Sequence, residues 1–250
     1  MTVDDSFQTV FAVPLSCSGC IKAVSDALYK LDGITKVEGN LADQLISVEG
    51  SAAPSAVVEA IQTTGRDAIL RGSGASDSAA VSILETFTDR TQALEDHDED
   101  RNVRGLARIV QVSSGRSLVD LTVRGLVPGR YYATIREYGD LKDGAKSTGP
   151  VWCGGGEKEA KGILGTVDVG EDGRGSSFVD HAFQIWEIIG HAMVLTQQDE
   201  TARSLVNDAN TIVGVIARSA GVWDNDKTVC SCTGKTLWEE RKDEVRKGML

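Results

Sequence analysis

The spacing of apolar residues changes partway along the chain, and this change limits the folds that it can adopt. Within residues 1–72, short apolar, β-branched runs alternate with two segments in which apolar residues recur at helical spacing. The first of these segments covers residues 20–31, and the second begins at Pro54, a residue that suits the first turn of a helix. The resulting order, β-α-β-β-α-β, predicts a ferredoxin-like α+β domain.

A small, polar segment at residues 71–78 follows, and it has the composition of a linker. Beyond it apolar and polar residues alternate, most clearly over residues 118–123, and glycine-containing turns separate several of the apolar runs. This pattern predicts an all-β sandwich or barrel over residues 73–221. The predicted strands cover residues 81–87, 103–112, 118–123, 131–138, 192–196 and 211–217. Residues 222–250 lack apolar periodicity and are predicted to form a short irregular tail.

The charge and hydropathy of the chain restrict the classes of partner and the compartments in which we expect it. It carries 37 acidic and 26 basic residues, a formal net charge of −11, which disfavours binding to nucleic acid or to an anionic membrane surface. No apolar run reaches the roughly 18 residues of a membrane span, and the first residues are polar and acidic rather than leader-like. We therefore expect a reducing, intracellular compartment and no membrane span.

Four of the five cysteines form two close pairs, a C-x-x-C at Cys17 and Cys20 and a C-x-C at Cys230 and Cys232. In a reducing compartment such pairs indicate metal binding or redox chemistry more often than structural disulfides. Cys17 and Cys20 lie at the start of the first predicted helix, whose N-terminus lowers thiol pKa values. Two converging thiolates suit Cu(I), since structural zinc takes four ligands. A thioredoxin-type redox pair and two unreactive cysteines are the alternatives.

The second pair has its own chemistry. In an extended segment Cys230 and Cys232 point to the same side of the chain, because side chains two residues apart share a face. They can chelate one soft ion or form a strained, easily reduced disulfide. The remaining Cys153 has no close partner in the sequence and is expected to be a bystander.

Residues 7–71 resemble the heavy-metal-associated domain of copper chaperones and copper-pumping ATPases, whose motif is M-x-C-x-x-C after the first strand. This chain reads Leu-Ser-Cys-Ser-Gly-Cys from Leu15 to Cys20, with leucine in place of a methionine that packs beneath the loop. The resemblance also places Arg66 at a cationic position, usually lysine, that offsets the negative bis-thiolate copper complex. A solvated loop arginine is the alternative for Arg66.

Residues 79–221 resemble Cu/Zn superoxide dismutase, a Greek-key β-barrel. The stretches that carry this resemblance are residues 103–106, 137–140, 147–150 and 214–217. The positions of the enzyme's metal ligands hold Thr134, Arg136, Val151, Ala160, Ile163 and Thr196. The position of its catalytic arginine holds Asn210, and its disulfide cysteines fall near Ala145 and Val213. The resemblance therefore implies a barrel that lacks metal ligands, disulfide and catalytic arginine, and that cannot act as a dismutase by that mechanism.

A copper-binding first domain, a dismutase-like second domain and a C-x-C tail together resemble the family of copper chaperones for Cu/Zn superoxide dismutase, in its fungal form. The segments at residues 217–223 and 230–241 are close to the family's signature, and the resemblance covers nearly the whole chain. One departure is His191, which stands where the family usually carries an arginine near its docking surface. The other histidines, His97 and His181, match no metal-ligand position of the enzyme either.

This resemblance implies a metallochaperone rather than an enzyme, built in three parts. Residues 1–72 would take up Cu(I) on their C-x-x-C. Residues 73–221 would form a heterodimer with immature dismutase, through a surface that a homodimer of this chain can also use. Residues 222–250 would deliver copper and promote the client's intrasubunit disulfide through their C-x-C. The resemblance also implies a cytoplasmic location with a mitochondrial intermembrane-space fraction. A superoxide dismutase, and a general thiol–disulfide oxidoreductase acting through the first pair, are the rival functions.

Overall fold

The computed structural model describes residues 6–87, 103–154 and 160–222, together with residues 236, 238, 239 and 242. Three residues singled out above, His97, Cys230 and Cys232, lie outside this part of the chain. Within the described residues, no helix has the length and apolar character needed to cross a membrane.

The N-terminal part is a four-stranded antiparallel sheet with two helices packed on it. In chain order its elements are β1 (Phe7–Ala12), α1 (Ser18–Leu28), β2 (Ile34–Asn40), β3 (Leu45–Gly50), α2 (Pro54–Thr63) and β4 (Ile69–Ser73). The strand order is β2-β3-β1-β4. Val24 and Leu28 of α1 and Ile61 of α2 pack against Phe11 and Ile46 of the sheet, and these side chains are fully buried. The predicted ferredoxin-like arrangement is confirmed.

The linker between the two parts begins later than predicted. β4 continues to Ser73, and its Gly72 packs so closely that a Cβ atom there would lie 2.1 Å from the carbonyl oxygen of Gly221. Gly74, the first residue after β4, accepts a hydrogen bond from the backbone N–H of Val222 at 2.8 Å. These small residues have the composition of a linker. Their size allows the backbone at residues 72–74 to contact the backbone at residues 221–222.

The second part is a nine-stranded antiparallel sheet that curls into a nearly closed barrel. Its strands are β5 (Ala79–Thr86), β6 (Val103–Ser113), β7 (Arg116–Val123), β8 (Gly129–Arg136), β9 (Ile163–Val169), β10 (Gly175–His181), β11 (Ala192–Thr196), β12 (Ile212–Val215) and β13 (Ala217–Arg218). The order is β10-β7-β6-β5-β12-β11-β8-β9, with β13 paired to β5, and the two end strands lie side by side. Tyr131, Ile135, Met193 and Ile212 are among the side chains that fill its interior. The predicted all-β barrel is confirmed.

Two strands and one short helix were missed by the sequence prediction: β9, β10 and α3 (Ile185–Ile188). In β9, Gly165 has a φ angle of +102° and lies where the pairing with β8 shifts register, so the apolar alternation is interrupted. None of the residues of β10 is fully buried, so no apolar face marks that strand in the sequence. α3 is too short to show helical periodicity.

The outer face of β8 is buried as well as the inner one. Thr134 and Arg136 lie on the face opposite the core residues Ala133 and Ile135, as the period of a strand requires. Both are fully buried, because the loops that follow β8 and β11 cover this face through a small apolar cluster that includes Leu205. These are the positions at which the dismutase resemblance places copper-binding histidines.

Arg136 connects the two covering loops. Its Nε donates a hydrogen bond to the carbonyl oxygen of Gly149 at 3.0 Å, and its Nη1 donates to that of Glu200 at 3.0 Å. Its Nη2 donates to the carbonyl oxygens of Gly149 and Ala202. Burial lowers the pKa of Arg136, and the hydrogen bonds to carbonyl oxygens compensate for the water that the guanidinium has lost.

We predict that Arg136→Met destabilises the barrel by about 2–4 kcal/mol, because it leaves several buried carbonyl oxygens without donors. Urea unfolding followed by circular dichroism measures this loss. Arg130→Met is the matched control, since Arg130 pairs with Asp168 at 2.9 Å on the exposed surface, and its loss should cost less than about 1 kcal/mol. Equal losses in the two variants would show that Arg136 does not anchor the loops.

Candidate metal-binding site

Cys17 and Cys20 lie in the loop between β1 and α1 and in the first turn of that helix. Cys17 is the N-cap residue, with an extended backbone (φ −159°, ψ 170°), and the backbone N–H of Cys20 donates to its carbonyl oxygen at 3.0 Å. This tight turn brings the two Sγ atoms to 3.7 Å from each other. Cys17 is exposed, Cys20 is buried, and both are free thiols.

Leu15 fixes the base of this loop. It is only 4% exposed and packs in the same apolar cluster as Phe11, Val13 and Cys20. The expectation that leucine can replace methionine as a packing residue beneath the loop is confirmed. The cysteine loop is therefore held on the core of the N-terminal part, with its Cys17 end open to solvent.

The surroundings of Cys20 favour its thiolate form. The pKa of Cys20 is lowered from 9.0 to about 5, chiefly by a hydrogen bond from the Ser16 side chain, whose Oγ lies 3.3 Å from the Cys20 Sγ. The backbone of Ser16, the side chain of Arg66 and the backbone of Cys17 lower this pKa further, and burial opposes them. Sequence reasoning did not single out Ser16; the only available signal was a hydroxyl residue next to the C-x-x-C.

Arg66 lies beside the thiols rather than in open solvent. It follows α2, and its Nη1 donates to the carbonyl oxygen and the Oγ1 of Thr64 at 3.0 and 3.3 Å. Its side chain also helps to lower the pKa of Cys20. A guanidinium at this place offsets the negative charge of one or two thiolates. The geometry favours the charge-offsetting role over the solvated alternative.

The donor set of this site is small. Among the residues that the structure describes, no cluster of three or more histidine, cysteine, aspartate or glutamate side chains could hold a metal ion. Two thiolates at 3.7 Å can share one ion, because thiolate–metal bonds of about 2.3 Å, as in zinc sites, span sulfur separations up to about 4.6 Å. Two soft ligands without others suit Cu(I) better than zinc, which takes four in structural sites.

Comparison with known proteins agrees with this geometry. Residues 9–67 match the model of the heavy-metal-associated domain family. The superoxide dismutase 1 copper chaperones of Debaryomyces hansenii and Saccharomyces cerevisiae are 43% and 41% identical to the chain, each over 98% of both proteins. The chain belongs to the family of copper chaperones for superoxide dismutase. The human member is 31% identical over 92% of this chain and 88% of its own length, so the resemblance is stronger to the fungal members.

Two further residues of this family member have defined places in the barrel. Cys153 is half-buried, and its thiol lies 3.5 Å from the carbonyl oxygen of Val151. Val151 is the residue that stands at the position of the enzyme's bridging histidine. His191 stands where the family usually carries arginine. Its Nδ1 lies 2.9 Å from the carbonyl oxygen of Arg136, and its ring lies 5.6 Å from that of Trp152. The imidazole thus contacts the backbone of β8 and the ring of Trp152.

We predict that Ser16→Ala raises the pKa of Cys20 from about 5 toward its ordinary value, because the thiolate loses its main hydrogen-bond donor. The 13Cβ chemical shift of Cys20, followed against pH in reduced, metal-free protein, measures this pKa. Ser25→Ala in the middle of α1 is the control and should keep the midpoint near pH 5. An unchanged midpoint in Ser16→Ala would contradict the assignment of Ser16 as the main donor.

Proposed function

We propose that the chain is a copper metallochaperone that binds Cu(I) at Cys17 and Cys20 and serves immature Cu/Zn superoxide dismutase. The observation that carries this proposal is a pair of thiols 3.7 Å apart, one with a pKa of about 5, in a loop that is open on one side. At neutral pH Cys20 is already a thiolate, so Cu(I) need not displace its proton. The exposed Cys17 leaves room for a third thiolate to approach and exchange the ion.

The barrel would serve docking rather than catalysis. Its Ile83 and Val215 are 42% and 37% exposed, on the neighbouring strands β5 and β12. The pairing of Val213 with Glu85 sets Val215 across from Ile83, so the two apolar side chains form one patch on the outer face. An exposed apolar patch on a dismutase-like barrel fits heterodimer formation with a client dismutase, and a homodimer can use the same patch.

Delivery would fall to Cys230 and Cys232. Copper passes from the first pair to the second and then to the client by successive thiolate exchange, and the client's histidine site is the final sink. When Cys230 and Cys232 form a disulfide, a client thiolate attacks it and forms a mixed disulfide. A second client thiolate then displaces the tail, so the client cysteines are oxidised and the tail cysteines are reduced. We place the protein in the cytoplasm, with a fraction in the mitochondrial intermembrane space.

The acidic thiol also favours a second candidate, a general thiol–disulfide oxidoreductase acting through Cys17 and Cys20. That activity would extend to unrelated disulfide substrates and would not need the tail. A superoxide dismutase is the weaker rival, since Thr134 and Arg136 occupy positions at which that enzyme binds copper and Arg136 is committed to carbonyl oxygens.

We predict that Cys230→Ser combined with Cys232→Ser slows both copper transfer and disulfide formation in the client at least about tenfold. Copper-loaded protein is mixed with reduced, copper-free fungal dismutase, and mass spectrometry locates the copper and any mixed disulfide. Cys153→Ser is the matched control and should behave as the wild type. Transfer by the double variant at the wild-type rate would contradict delivery by the tail.

We predict that Ile83→Arg weakens the complex with reduced, copper-free dismutase at least about tenfold, because a charge would be buried in an apolar contact. Analytical ultracentrifugation measures the dissociation constant. Val127→Arg is the control, since Val127 is also apolar and 55% exposed but lies in the loop between β7 and β8. If both variants bind equally well, docking does not use the Ile83 patch.

A further inference from the structure

A buried carboxylate of the barrel binds the N-terminal part of the chain. Asp120 lies on β7, and its side chain is only 2% exposed. Its Oδ2 accepts a hydrogen bond from the backbone N–H of Ser55 at 2.8 Å, and its Oδ1 accepts one from the Ser55 hydroxyl at 2.6 Å. Ser55 lies in the first turn of α2, where unpaired N–H groups and the helix dipole favour an anion. We call this pair of residues the Ser55–Asp120 latch.

The pKa of Asp120 is raised overall, with burial as the largest cause. Burial raises the pKa of Asp120, while Arg108, whose Nη1 lies 3.6 Å from Oδ2, and the two hydrogen bonds from Ser55 lower it. One of the groups that stabilise the carboxylate therefore comes from the other folded part. The latch forms only when α2 is seated on the outer face of β7.

Other contacts between the described residues of the two parts lie near their connection. The backbone N–H of Ser73 donates to the carbonyl oxygen of Ala220 at 3.3 Å, and Phe7 packs with Val110 and Leu118 of the barrel. A Cβ atom at Gly74 would lie 2.7 Å from Val110, so these contacts adjoin one another. These contacts lie close to the connection between the parts, and Leu118 brings them next to the latch on the outer face of β7.

An open cleft lies beside the latch, between the N-terminal part and the barrel. A cleft of about 340 Å³ separates Val58 and Ile69 of the N-terminal part from Val81 and Leu106 of the barrel. Apolar contact across an open cleft does not fix an angle, because the hydrophobic effect has no direction. Two hydrogen bonds to a buried carboxylate do fix one. The latch is thus a directional contact that holds α2 on the barrel.

Helix α2 links the latch to the metal-binding site. From Ser55 to Thr64 the helix rises about 14 Å, and Arg66 just beyond it donates a hydrogen bond to Thr64 and helps to lower the pKa of Cys20. A displacement at the Ser55 end is therefore carried to the thiols by a rigid element.

We propose that Asp120 is a positioning residue: through Ser55 it fixes the orientation of the copper-binding part on the barrel, and so the place of the Cys17–Cys20 pair relative to the Ile83 patch. The consequence for copper delivery rests on the function proposed above, whereas the orientation itself does not. Ser55 and Asp120 together then set how often the loaded site is presented in the geometry needed for transfer.

The test compares Asp120→Asn, Ser55→Ala and Ser55→Thr with Asp180→Asn in the full-length, metal-free chain. Asp180 pairs with Arg116 at 2.9 Å within the barrel, so its variant removes an aspartate charge without touching the latch. Residual dipolar couplings of backbone N–H groups report orientation: one alignment tensor should fit both parts in the wild type, Asp180→Asn and Ser55→Thr. Asp120→Asn and Ser55→Ala should need two tensors, because the latched population falls about tenfold.

The second measurement is copper transfer at saturating reduced, copper-free fungal dismutase. Asp120→Asn should slow transfer about tenfold while the Cu(I) affinity, measured by chelator competition, changes less than twofold. A single tensor in both Asp120→Asn and Ser55→Ala overturns the proposal, and Ser55→Ala decides alone if Asp120→Asn does not fold. If the two parts of Asp120→Asn need separate alignment tensors but copper transfer keeps its wild-type rate, the positioning role is overturned. A wild type that transfers no copper refutes the proposed function, while the orientation result stands by itself.

Discussion

Arg136 places a full positive charge beneath two loops of the barrel, and its N–H groups hold those loops through three main-chain carbonyl oxygens. A buried guanidinium must keep such partners, because it has lost its water. The covered face of β8 and the cluster around Leu205 depend on this contact. In the enzyme that the barrel resembles, the same strand positions bind copper. Here Arg136, whose positive charge repels cations, holds the loops by hydrogen bonds.

This substitution suits a protein that carries copper for another. A barrel held together by its own metal would compete with the client for the ion, whereas a guanidinium anchors the loops without any affinity for it. The patch at Ile83 and Val215, which we propose as the docking surface, then keeps its shape whether or not copper is bound elsewhere. The copper site that we propose, Cys17 and Cys20, lies outside the barrel, in a loop whose Cys17 end is open to solvent.

Much of the fold followed from spacing along the chain. Helical spacing over residues 20–31 predicted α1, and alternation over residues 118–123 predicted β7. The prediction missed strands whose burial leaves no regular alternation of apolar and polar residues in the sequence. Gly165 interrupts β9 at a register shift, and β10 has no buried face. The glycines around residue 72 have the composition of a linker, yet they permit close backbone contact with Gly221.

The sequence by itself determined the chemistry: two thiols three residues apart at a helix start, a barrel without histidine ligands, and membership of a chaperone family. Only the tertiary structure decided how that chemistry is tuned. The low pKa of Cys20 depends on Ser16 and on Arg66, which approaches from the far end of α2. The latch joins Ser55 to Asp120, 65 positions apart in the sequence. Local patterns report only which face of an element is apolar. Hydrogen bonds between distant residues depend on how the elements pack, so no local pattern predicts them.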